Sequence, residues 1–192
     1  YKAFELISKG FGEGANGPLL VLVENLPVVT AEDEAIVRAQ LTAQYTAQLA
    51  AQGLTPEMLP PAQQQAAAAQ LDAQVAQYAP YYQAQLVAKN IAKLDNVAAA
   101  QAVQTAEDGT IAVVQVTPVT GPSDDATKDL VVTLRDTETQ KQVTGGDTVT
   151  LGVTGTTALL IDINTKLADA LPIYLAVVIG LSLILLIIAF RS

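Results

Sequence analysis

At 192 residues the chain can bury a single core, and nineteen acidic against ten basic side chains leave a net charge of −9. That balance argues against nucleic acid, and against an anionic lipid surface, as a partner. The chain has neither His nor Cys, which removes the usual zinc ligands and the commonest general base. No catalytic, cofactor-binding or metal-ligating residue is assigned on this basis, and no enzyme or cofactor is expected.

Composition falls into three blocks. Residues 1–29 are mixed and Gly-rich, residues 30–96 are dominated by Ala and Gln, and residues 97–170 are rich in Val and Thr. Helix formers followed by β-branched residues predict helices first and strands after them. Tyr1–Lys9 places Phe4, Leu6 and Ile7 on a short amphipathic turn that Gly10 is expected to stop. Gly-rich coil then leads to Leu19–Val23, an unbroken apolar run suited to a central strand covered on both faces.

Thr30 with Asp33 three positions on reads as a capping box. Val37, Leu41, Tyr45 and Leu49 recur every four residues and form one helical stripe, which Gly53 ends. Thr55–Pro56 and Pro60–Pro61 make a joint. Beyond it Leu71, Val75, Tyr78, Tyr82 and Leu86 form a second stripe, which Pro80 is expected to kink or split. Two matched stripes around a Pro-rich joint predict an antiparallel helical hairpin; a solvated spacer helix is the plainer alternative.

Val87–Leu94 reads as the part of this helix that packs on a sheet, and Asp95–Asn96 turns the chain into a strand at Val97–Gln104. Glu107–Asp108–Gly109 is a hairpin turn leading to Ile111–Val116. Ser123 is the expected N-cap of the next helix, with Asp124 and Asp125 in its first turn and Leu130, Val131 and Leu134 on its apolar face. Thr148–Val153 alternates as a strand. From Thr156 the chain becomes helical again through Leu159, Leu160, Ile163 and Leu167.

Without the Ala/Gln block, the order is strand, helix, strand, strand, helix, strand. This is the βαββαβ order of a ferredoxin-like α+β fold, for which about 110 residues suffice as a single core. The first and third strands of such a sheet are antiparallel neighbours. Four segments result: a connector and first strand at 1–29, an inserted hairpin at 30–86, the rest of the α+β unit at 87–155, and a helix leading into a membrane span at 156–192.

The span itself is the strongest signal. Leu171–Phe190 holds no charge, and Ile173–Phe190 as a helix covers about 27 Å, close to a bilayer's hydrocarbon core. Tyr174 stands at one end as an interfacial residue and Arg191 at the other as a cytoplasmic anchor. All nineteen acidic side chains precede the span, which places residues 1–170 outside the cytoplasm.

Three motifs invite chemistry. Gly12–Gly17 matches GxGxxG, but a dinucleotide site needs a strand before the glycines and a helix after them. A flexible connector fits better. Asp124–Asp125 resembles a metal or catalytic pair, yet acids are expected in a first helical turn without any chemistry. Tyr78, Tyr81 and Tyr82 either face a ligand or seal the end of the hairpin, the latter being commoner.

Gly10-Phe11-Gly12-Glu13-Gly14-Ala15-Asn16-Gly17-Pro18 through Val23 resembles the segment after the first membrane helix of the MMPL (mycobacterial-membrane-protein-large) transporters of the resistance-nodulation-division superfamily. Thr117–Thr127 through Asp136 is similar to their strand-to-helix turn. Gly155–Ala158 and Asp162–Ser192, closing on Phe190-Arg191-Ser192, are similar to their approach to the second membrane helix. The resemblance implies a periplasmic porter subdomain in the plasma membrane and proton-driven export of lipids or other hydrophobic compounds. Membrane lipids, the remaining membrane segments and a second porter domain are the implied partners. No acid lies within Ile173–Phe190, so the residues that carry coupling protons are expected elsewhere, and the substrate-binding residues are unknown. A single-span anchored interaction or sensor ectodomain is the alternative, and an ABC-type permease domain a third reading.

Overall fold

The computed structural model describes residues 2–190. Tyr1, Ser192 and the anchoring role expected of Arg191 lie outside the described residues.

The sheet forms where β-branched runs meet turn residues. Four strands, β1 (Leu19–Glu24), β2 (Val97–Thr105), β3 (Ile111–Pro118) and β4 (Thr150–Thr154), lie in the order β2-β3-β1-β4 with every pairing antiparallel. As expected, β1 and β3 are neighbours, with Leu19 opposite Val116 and Glu24 opposite Ile111. β2 and β3 form a hairpin whose turn carries Gly109 at φ 69°, a conformation that glycine adopts without strain.

One face of the sheet carries the core. Leu19, Val21 and Val23 of β1 are fully buried, together with Val114 and Val116 of β3. Three helices pack on them. α3 (Pro61–Ile91) contributes Ala84, Val87, Ala88 and Ile91, α4 (Asp125–Arg135) contributes Leu130, Val131 and Leu134, and α5 (Thr137–Thr144) contributes Val143. β1 is therefore central but not covered on both faces as its apolar run suggested. Leu20 is 41 % exposed, on the same face as Leu22, Val113 and Ile111.

α2 (Ala31–Ala51) starts at the expected capping box, in which Asp33 N donates to Thr30 Oγ1 and Thr30 N donates back to Asp33 Oδ2. It pairs with α3 in opposite senses: Asp33 meets Gln83 and Arg38 meets Asp72. Pro80 does not split α3, which is a single helix. The line buried in α3's hairpin half is Val75, Ala79 and Gln83, while Tyr78 is half exposed.

Pro80 lies against the β2–β3 turn, so a Cβ on Gly109 would stand 2.9 Å from its Cγ. None of α3 before Tyr81 joins the sheet's core. Residues 61–79, about 28 Å of helix at 1.5 Å per residue, continue past that turn as an arm with α2 alongside.

Two helix ends differ from expectation. Asp124, not Ser123, is the N-cap of α4, and its carboxylate accepts from Gly121 N at 2.8 Å. α5 was not anticipated. It starts at Asp136, whose carboxylate accepts from Thr139 N at 3.0 Å, and ends at Gly145 in the left-handed region.

The hydrogen bonds from the Thr139 backbone and hydroxyl hold the Asp136 carboxyl below its ordinary value. A carboxyl lowered on folding contributes stability above its unfolded pKa, and that contribution is lost as pH falls through the folded value. Acid should therefore loosen α5. Asp136→Asn keeps an accepting oxygen at the cap but does not titrate, so this variant should lose less α5 protection below about pH 4 than the parent chain. Hydrogen exchange at Lys141–Thr144 measures the difference.

Candidate functional site

The elements that leave the sheet at one end meet in a junction held by several side-chain contacts. Antiparallel pairing brings the start of β1 and the ends of β3 and β4 together. At this end the chain passes from β4 into α6 (Thr156–Phe190), one continuous helix of 35 residues.

Three contacts fix the first turns of α6. Thr157, 1 % exposed, donates its hydroxyl to Pro122 O at 2.8 Å, and Ala158 is buried beside it. Arg135, at the end of α4, grips Asp162 with both guanidinium nitrogens, Nη1 to Oδ1 at 2.6 Å and Nη2 to Oδ2 at 3.0 Å. Its Nη2 also donates to Val153 O at 3.2 Å, so one side chain ties α4, β4 and α6 together. Bidentate pairing of this kind fixes direction as well as distance. Gly155 makes the passage possible: its φ is 124°, and a Cβ there would stand 3.0 Å from Pro18 O.

The other element at this end is the segment matching GxGxxG. It is a packed 3₁₀ turn, Glu13–Asn16, rather than a flexible connector. Gly14 lies so close to the end of β3 that a Cβ would fall 1.8 Å from Pro118 O. Asn16 donates to Ser8 Oγ at 2.7 Å and to Phe4 O at 3.3 Å, which holds α1 (Lys2–Phe11) against the turn. α1 runs one residue past Gly10 and stops before Gly12, whose φ is 89°. The glycines follow a helix and precede a strand, the reverse of a dinucleotide site.

The remaining candidates have structural roles. Asp125 pairs with Lys128 at 2.8 Å, and that hydrogen bond keeps its carboxyl ionised below the ordinary range. Among the described residues no three acidic side chains converge as metal ligands would. Tyr81 donates to Ala102 O at 3.1 Å and accepts from Gln85 at 2.8 Å, fastening α3 to β2. Tyr78 and Tyr82 border a groove of about 350 Å³ with Val37 and Leu41. A second groove, of about 570 Å³, runs between the arm helices past Tyr45, Leu59 and Leu71. These surfaces offer apolar contact and amide hydrogen bonds, not a nucleophile with its base.

The Arg135–Asp162 clamp escaped the sequence reading because its partners are 27 positions apart with nothing local to couple them. From Leu171 to Phe190, α6 is charge-free and its side chains are almost all exposed, as a helix meant for lipid would be. A model of the MMPL family matches residues 3–192. The chain belongs to the MMPL family. It is 29 % identical over 191 residues to the membrane protein YdfJ of Bacillus subtilis (strain 168), a match covering all of this chain and 19 % of that relative. The chain thus spans about one fifth of that relative's length. No solved structure matches it. Family, relative and apolar helix agree that this MMPL chain is membrane-located.

Proposed function

We propose that the chain is an extracytoplasmic porter domain, with the membrane helix that follows it, of a transporter that exports lipids or other hydrophobic compounds under the proton gradient. The observation that carries this reading is the clamped junction. A helix apolar enough to cross a membrane is fastened to the sheet through Thr157, Ala158 and Asp162. Movement of α6 in the membrane would therefore be transmitted to α4 and β4 as a rigid displacement.

Three features support the details. The strand order β2-β3-β1-β4 suits a ferredoxin-like porter subdomain, in which the arm before Tyr81 would be an insertion. The exposed sheet face bearing Leu20, Leu22, Val113 and Ile111 suits a second porter domain. The acids all precede the charge-free span, which suits an extracytoplasmic position for residues 1–170. Coupling protons would travel on other membrane helices, since Ile173–Phe190 holds no acid.

The test is reconstitution of the full-length transporter in proteoliposomes with an imposed proton gradient. A lipophilic fluorophore should be moved across the bilayer while the gradient lasts, and a protonophore should stop it. Transport of polar solutes alone, or transport indifferent to the protonophore, would contradict the proposal.

A further inference from the structure

We infer that the arm is an interface between copies of this chain: the groove between α2 and α3 takes the same arm of a second copy, joined by apolar contacts and amide pairs.

The arm is an unfinished two-helix layer. α2 buries only Val37 and Leu49, and α3 buries nothing before Val75. Leu41, Tyr45, Leu59 and Leu71 remain half-buried where the two helices face each other. The two grooves described above share Leu41 and Gln44, so they form one trough from Tyr82 near the sheet to Leu59 at the far joint. A helix stripe is stable when another element covers it, and a lone pair of helices has no third element to close this trough.

The lining decides the occupant. Residues 39–71 hold one charged side chain, Glu57, and it lies in the joint rather than on either helix. At their foot Arg38 and Asp72 pair with each other. An ionic partner would therefore find no counter-charge in the groove. An acyl chain would suit the leucines, but it would strip water from Thr42, Thr46, Gln48, Gln64, Gln70 and Gln74 and return no hydrogen bond. A neutral helix that carries amides satisfies both parts of the lining. Each amide holds a donor and an acceptor, so an amide surface complements its own copy, as a charged surface does not. The arm is itself such a surface. In a chain of net charge −9 it offers two copies a contact without like-charge repulsion. Each copy presents the same patch, which is the condition for a closed two-fold contact.

Charge exchange in the full-length transporter tests this. Copies bearing either of two affinity tags are co-expressed, extracted in mild detergent, captured by one tag and probed for the other. One variant carries Gln44→Glu, Gln48→Glu and Gln70→Glu; a second carries Gln44→Lys, Gln48→Lys and Gln70→Lys. Glutamate and lysine match glutamine in helix propensity, so the arm stays helical in both. Parent copies should be captured together, and each charged variant paired with itself should lose about tenfold of that signal. Glutamate copies co-expressed with lysine copies should recover it, which a damaged arm could not do. Gln65→Glu, at a position that does not line the groove, should leave capture unchanged. Parent copies that are not captured together would overturn the inference. So would charged variants captured as well as the parent, which would mean that the copies meet elsewhere or that the rest of the same chain fills the groove. Failure of the mixed charges to restore capture would overturn it as well.

Discussion

Replacing Ile91 by alanine is expected to destabilise the sheet unit by about 2–5 kcal/mol, the usual cost of truncating a fully buried aliphatic side chain. Ile91 is 0 % exposed, at the end of α3 where the helix meets the core. The same change at Leu49 is expected to act differently, although Leu49 is also buried, at 8 % exposure. Leu49 packs within the arm and is absent from the sheet's core. Its loss should loosen α2 from α3 and leave the main unfolding transition in place.

Removing residues 30–79 and rejoining with a short linker carries this contrast to its limit. β1 ends opposite Ile111, and Leu26 N bonds Thr110 O at 3.0 Å, beside the turn that Pro80 touches. Both cut ends therefore lie at the same end of the sheet. Urea unfolding of the chain in detergent, followed by far-ultraviolet circular dichroism, should stay cooperative after the deletion. A deletion variant without a cooperative transition would show that the arm belongs to the core, and an Ile91→Ala variant as stable as the parent would show that the end of α3 does not.

Two glycines four positions apart should respond to alanine with opposite signs. Gly14→Ala puts a methyl 1.8 Å from a backbone oxygen at Pro118 and 3.1 Å from another at Thr120. No flexible side chain can yield there, so the 3₁₀ turn or the end of β3 must move. Forced overpacking of this kind costs about 1–3 kcal/mol, and a backbone obstacle puts this case toward the upper end. Gly10→Ala meets nothing within 4 Å and lies inside α1. It should stabilise that helix by about 0.5–1 kcal/mol, because alanine loses less backbone freedom than glycine. Amide exchange across residues 4–17 reads both effects. Equal tolerance of the two substitutions would mean that the turn is not seated on β3.

Much of the fold could be read from local pattern. The β2–β3 hairpin follows from an Asp-Gly turn between β-branched runs, and the capping box at Thr30 fixes the start of α2 to the residue. The neighbouring of β1 and β3 followed from element order. α5 was missed because TETQKQVT has almost no apolar periodicity, and Val143 alone reaches deep into the core. Its signals were the caps, Asp136 with Thr139 and Gly145 at the far end, which mark a helix without amphipathicity. The expectation that β1 is covered on both faces failed for a different reason. An apolar run reports that both faces avoid water, while α3, α4 and α5 all lie on one of them. The clamp of Arg135 on Asp162 is a tertiary contact and left no periodic trace, although both residues were visible on helices.

The proposed export role depends most on which side of the membrane the sheet unit occupies. Gln65, exposed on the arm, and Ser192, beyond the span, are replaced singly by cysteine in the full-length transporter freed of other cysteines. Intact cells are treated with a membrane-impermeant thiol reagent, and a second sample is treated after lysis. Position 65 should react in intact cells and position 192 only after lysis. Reaction at 192 in intact cells, with 65 protected until lysis, would put the domain in the cytoplasm and contradict the proposed export role.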